Sequence, residues 1–203
     1  MTSNNVFETL SKVDHDARAE RNGHAGGVLW FTGLPGAGKS TLAVELERRL
    51  FAEGYQVYVL DGDNMRHGLS GDLGFSHQDR TENIRRVGEV AALFADAGYV
   101  CIAAFISPYA EDRRTARAAG GEAFHEVFVD ASLEVCEKRD PKGLYKRARA
   151  GEVPDFTGVS APYERPKTPE LAVDSGASEI ADCIDLLADY VVRNFGLSGG
   201  DGA

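Results

Sequence analysis

The apolar residues of this chain fall into two alternating patterns. Residues 28–32 (Val-Leu-Trp-Phe-Thr) form a short, nearly unbroken apolar run, and comparable runs occupy residues 55–60, 99–106, 126–130 and 171–174. Runs of that length predict strands, and unbroken ones predict strands covered on both faces. Between them apolar residues recur at helical spacing: Leu42, Leu46 and Leu50; Ile84, Val87, Ala91 and Phe94; Ile184, Leu187 and Val191. These predict amphipathic helices over residues 41–52, 79–97 and 180–192. Shorter helices are expected over 13–21, 110–119 and 132–139. Asp79 with Glu82 fits a capping box, Ser132 fits an N-cap, and Gly54 and Gly98 fit helix stops.

Alternation of strand and helix predicts an α/β fold: a five-stranded, mainly parallel sheet with helices on both faces, in three layers. The expected organisation is an arm over residues 1–26, one domain over 27–195, and a disordered tail over 196–203. In such sheets ligands bind beyond the carboxyl ends of the strands. The polar candidates fall there: Gly33, then Asp61 and Asp63, then Ser107, Asp130 and Asp174.

The first strand runs into Gly33-Leu34-Pro35-Gly36-Ala37-Gly38-Lys39-Ser40, which fits G-x-x-x-x-G-K-[ST], the phosphate-binding P-loop. A strand before it and a helix after it supply the context this motif needs. Its backbone N–H groups and the helix N-terminus suit polyphosphate. Lys39 is expected on the β- and γ-phosphates and the Ser40 hydroxyl on Mg²⁺.

Composition narrows the partners. The chain has 203 residues, 43% of them hydrophobic, and a formal net charge of −10. That acidity argues against a nucleic-acid partner, and no segment reads as a membrane span, so a cytoplasmic protein is expected. Cys101, Cys136 and Cys183 read as buried, reduced thiols. Against the acidic background, Lys138, Arg139, Lys142, Lys146, Arg147 and Arg149 reverse the charge locally, with Gly143 and Gly151 flanking part of the cluster. They suggest a basic lid, about residues 138–160, closing over phosphates. Arg113, Arg114 and Arg117 read as a solvated face, Arg85 and Arg86 as surface charges, and His15 and His24 as solvated. Residues 67–78 and 151–170 read as loops carrying Phe75 and Phe156.

With these motifs in place, the sequence strongly resembles adenylylsulfate kinases over roughly residues 20–192. The resemblance rests on residues 33–40, Asp61 to Arg66, Leu73-Gly74-Phe75-Ser76 with Asp79-Arg80 and residues 82–86, residues 105–108, and residues 139–156 with Lys142-Gly143-Leu144-Tyr145-Lys146. It implies transfer of a phosphoryl group from MgATP to the 3′-hydroxyl of adenosine 5′-phosphosulfate. Residues 33–40, Thr41, Arg139 and Gly176 would bind ATP. Phe75 and Phe156 would sandwich the acceptor adenine. Arg66, Arg80 and Asn83 would hold its phosphosulfate and ribose, Ile106 and Ser107 would contact it, and Lys142 would reach over it. Lys39, Asp63 and Ser107 would carry the catalysis. Asp63 is the choice for the hydroxyl proton and Asp61, with Ser40, for Mg²⁺. Ser107 is expected to position substrate, since in-line transfer needs no phosphoserine. A homodimer, and coupling to a separate ATP sulfurylase, are further expectations. Pro35-Gly36-Ala37 and Pro154-Asp155 depart from commoner family forms.

Two other readings stay open on sequence grounds. One is a P-loop kinase for a nucleoside monophosphate, gluconate or shikimate. The other is a nucleotide-binding regulatory subunit without turnover.

Overall fold

The computed structural model describes residues 11–196. The first ten residues of the expected arm, and the expected tail beyond Gly196, lie outside the described residues. The strands are β1 (Gly27–Thr32), β2 (Val57–Asp61), β3 (Val100–Ala104), β4 (Phe124–Asp130) and β5 (Leu171–Asp174). The helices are α1 (His15–Asn22), α2 (Lys39–Ala52), α3 (Gly62–His67), α4 (His77–Asp96), α5 (Ala110–Gly120), α6 (Leu133–Arg139), α7 (Leu144–Arg149) and α8 (Ile180–Phe195). The sheet order is β2-β3-β1-β4-β5, and every pairing is parallel.

β1 explains the layering. Its side chains alternate between faces, and all six residues are buried. Leu29 and Phe31 join the core formed with α2 and α8 through Leu42, Leu46, Leu50, Leu187 and Val191. Val28 and Trp30 join the opposite core with Ile84, Val87 and Ala91 of α4. Each large apolar side chain so buried contributes roughly 1.5–3 kcal/mol, which fixes β1 at the centre. The registers Phe31↔Ala104, Asp61↔Ala104, Thr32↔Phe128 and Asp130↔Asp174 bring the carboxyl ends of all five strands to one edge.

Several local expectations are corrected. α4 starts at His77, capped by Ser76, whose Oγ accepts from Asp79 N; Asp79 is therefore inside the first turn instead of at the cap. A short helix, α3, follows β2 directly, and Asp61 caps it by accepting from Asp63 N. His24 is buried, not solvated: its Nε2 accepts from Gln56 N at 2.8 Å and its ring packs on Tyr55. Arg113 is only 5% exposed, so the solvated-face reading fails there. It pairs with Glu126 of β4 at 2.5 Å. Arg117 is likewise held by Glu170, while Arg114 stays exposed. Cys101, Cys136 and Cys183 are free and buried, as expected.

Candidate active site

The P-loop is built on close backbone approaches. Gly36 and Gly38 take φ of +77° and +95°, values that L side chains rarely adopt. Gly38 is the N-cap of α2 and gives it no side-chain cap, so the first N–H groups of the helix remain available to an anion. The loop is anchored from outside its own sequence. The Tyr145 hydroxyl of α7 donates to the Pro35 carbonyl at 2.9 Å, and Ser175 Oγ donates to the Ala37 carbonyl at 2.7 Å. Lys39 is buried and donates to the carbonyls of Gly33 and Leu34, both at 2.8 Å. Burial pushes its ammonium down to about 8, with Asp61 among the groups opposing the shift.

Ser40 Oγ donates to Asp61 Oδ2 at 2.6 Å. Asp61 Oδ1 accepts from the Asp63 N–H at 3.0 Å, and the Asp63 carboxylate contacts the Lys142 ammonium. One continuous polar line therefore runs from the P-loop through both aspartates to the basic segment. The Ser40 hydroxyl and Asp61 carboxylate are hard oxygen donors beside the phosphate loop. That set suits Mg²⁺, which takes one or two carboxylates plus substrate phosphates.

The acceptor-side residues gather around α4 and the loop before it. Arg80 Nε donates to the Phe75 carbonyl at 2.9 Å, and its two terminal nitrogens reach Thr157 Oγ1 at 3.1 Å and the Asp155 carbonyl at 2.7 Å. This guanidinium ties the Phe75 loop to the Phe156 segment across a separation of 75 residues or more. Arg66 lies 4.3 Å over the Phe75 ring and donates to the Gly74 carbonyl at 2.7 Å. The two phenylalanines differ. Phe75 is 68% exposed, whereas Phe156 is 8% exposed and meets Tyr145 edge-on. Asn83 is buried with its Oδ1 unpaired, an unusual state for an amide oxygen. Ile106 presents its carbonyl to Thr32, and Ser107 is buried beside Trp30.

On the nucleotide side, Arg139 donates to the Ser175 carbonyl at 2.5 Å, and its guanidinium lies alongside Gly38. Thr41 is exposed on the first turn of α2. A cavity of about 550 Å³ flanks the loop, taking in Leu34, Asp130, Leu133, Tyr163, Arg165 and Gly176. None of the expected acceptor residues lines it. The basic segment is partly neutralised: Arg147 pairs with Glu152 and Arg149 with Glu137. Sequence reasoning passed over Thr157, Tyr145 and Ser175. Tyr145 lies within the quoted 142–146 motif; the other two carry no local signal.

A parallel sheet with a P-loop after its central strand, facing carboxylates and a second polar cluster define a P-loop kinase. The family profile described as adenylylsulphate kinase matches residues 25–174, and this chain belongs to that family. It is 52% identical to an adenylyl-sulfate kinase of Clostridium acetobutylicum over 192 residues, covering 95% of this chain and 96% of the relative. An adenylyl-sulfate kinase of Bacillus velezensis is 53% identical, with 94% and 98% covered. The solved Mycobacterium tuberculosis APS kinase CysC, in complex with AMPPNP and APS, superposes with a TM-score of 0.77 at 50% identity, covering 81% of this chain and 96% of that one.

Proposed function

We propose that the chain transfers the γ-phosphoryl group of MgATP to the 3′-hydroxyl of adenosine 5′-phosphosulfate. The bond from the 3′-oxygen to γ-phosphorus forms as the bond from γ-phosphorus to the β–γ bridging oxygen breaks, releasing ADP. The observation that carries this reading is the polar line Ser40–Asp61–Asp63–Lys142, because it joins the donor loop to the acceptor side at Asp63. Asp63 takes the hydroxyl proton, and the side chain is exposed enough to meet it. Lys39 and the N–H groups of α2 bind the donor phosphates and balance developing charge. Ser40 and Asp61 would hold Mg²⁺, which would supply neutralisation of the phosphate charge. Arg66, Arg80 and Asn83 grip the anionic acceptor, and Phe75 stacks on its base. The basic lid, about residues 138–160, closes over the phosphates, with Lys142 moving from Asp63 to the acceptor.

The test is ADP release with adenosine 5′-phosphosulfate beside AMP, gluconate and shikimate. Turnover confined to the phosphosulfate is expected. Asp63→Ala should lower kcat by about 10²–10⁴-fold, the scale of a lost general base. Arg80→Ala should chiefly raise the acceptor KM. Tight ATP binding without turnover on any acceptor would overturn the kinase reading, and preference for AMP would overturn the acceptor.

A further inference from the structure

Ser107 has a left-handed backbone, with φ of +39°, which an L-residue resists. Such a conformation persists where neighbours over-determine it. Three do so here. The Trp30 indole N–H donates to Ser107 Oγ at 3.1 Å. Arg113 donates to the Ser107 carbonyl at 2.8 Å. Thr32 Oγ1 donates to the preceding carbonyl, that of Ile106, at 2.8 Å. All three donors belong to buried residues.

Trp30 and Arg113 are immobilised in turn. The Trp30 ring stacks between Phe105 and Phe124, each with a centroid separation of 5.6 Å. Arg113 is pinned by Glu126 at 2.5 Å and by the Glu164 carbonyl at 2.8 Å. An indole N–H only donates, so Ser107 Oγ acts as acceptor toward Trp30. Its own proton lies off that axis, and the hydroxyl donates to none of the described residues.

We propose that Trp30 and Arg113 are positioning residues that lock Ser107 and present its hydroxyl to the acceptor nucleotide as a hydrogen-bond donor. This rests on the kinase reading above. Neither residue touches substrate; each acts through Ser107.

Trp30 is the only tryptophan, so its indole N–H gives one signal in a ¹⁵N–¹H spectrum. Ser107→Ala should shift that signal in the substrate-free protein. In the wild type, adenosine 5′-phosphosulfate should shift it, and a non-hydrolysable ATP analogue alone should not. For kinetics, Trp30→Phe keeps a ring between Phe105 and Phe124 and removes the N–H. The expected result is a fall in kcat/KM for the acceptor of about five- to thirtyfold, the scale of one lost buried hydrogen bond. The KM for MgATP should stay within about twofold, and Trp30→Phe should add nothing in a Ser107→Ala background. Arg113→Lys keeps a charge for Glu126 and loses the fork to Ser107; it should show the same split. An indole signal indifferent to Ser107→Ala, or losses that multiply in the double variant, would overturn the proposal. Should Trp30→Phe fail to fold, the indole shifts decide. Lack of wild-type turnover would sink the kinase reading and the kinetic half, while the substrate-free indole shift stands or falls separately.

Discussion

Nucleotide binding should take up protons above neutral pH, and Lys39 is the reason. Burial lowers its ammonium from 10.5 to about 8 in the free protein, where its partners are two carbonyls. Donor phosphates supply a strong negative charge at that ammonium and restore the proton. With a free-state value of about 8, the uptake from Lys39 should be about 0.1 proton per nucleotide at pH 7, about 0.5 at pH 8 and about 0.9 at pH 9. The same linkage weakens apparent affinity by about tenfold between pH 7 and pH 9, or roughly 1.4 kcal/mol. The assay is calorimetric titration of MgATP analogue in buffers of different ionisation enthalpy. Lys39→Arg stays charged throughout and should show none of this uptake. A wild type that takes up no proton at pH 9, or an equal uptake in Lys39→Arg, would refute the reasoning. The sign for folding follows from the same shift. Between about pH 8 and 10.5 the unfolded chain binds the Lys39 proton more strongly, so this contribution makes stability rise with pH across that window.

Other expectations follow from single contacts. Arg86 donates to Asp72 at 2.6 and 2.9 Å and to the Leu69 carbonyl at 3.0 Å, holding the Phe75 loop against α4. Arg86→Ala should raise the acceptor KM by about three- to tenfold with the MgATP KM unchanged, measured by initial rates. Asp155 has φ of +51°. Asp155→Val should therefore cost about 1–2 kcal/mol and lower Tm by a few degrees, while Asp155→Gly stays near wild type in the same thermal melts. A Cβ on Gly88 would lie 2.8 Å from Ala116 Cα, where α4 crosses α5. Gly88→Ala should be destabilising by about 1–3 kcal/mol in denaturant unfolding, despite its better helix propensity.

Much of this protein was legible along the chain. The P-loop declares itself because its glycines, Lys39 and Ser40 act within eight consecutive residues. β1 and the stripes of α2, α4 and α8 were equally readable, since burial on a face repeats with the period of the backbone. The sharing of one sheet edge by Gly33, Asp61, Ser107 and Asp130 followed from strand alternation alone. Boundaries were less legible: Ser76 outcompetes Asp79 as cap of α4, a choice between neighbours that the letters leave open. What only tertiary structure decided are the partners of polar groups. Arg113 resembles any surface arginine on α5 until β4 brings Glu126 beside it and the fold buries the guanidinium. His24 meets the Gln56 backbone, and Trp30 meets Ser107 across 77 residues. Gly88 looks like a flaw in a helix until Ala116 occupies the space. The physical reason is one of range. Periodicity and motif chemistry are written in neighbouring residues, whereas a buried charge or hydroxyl is satisfied by whatever the fold places opposite it.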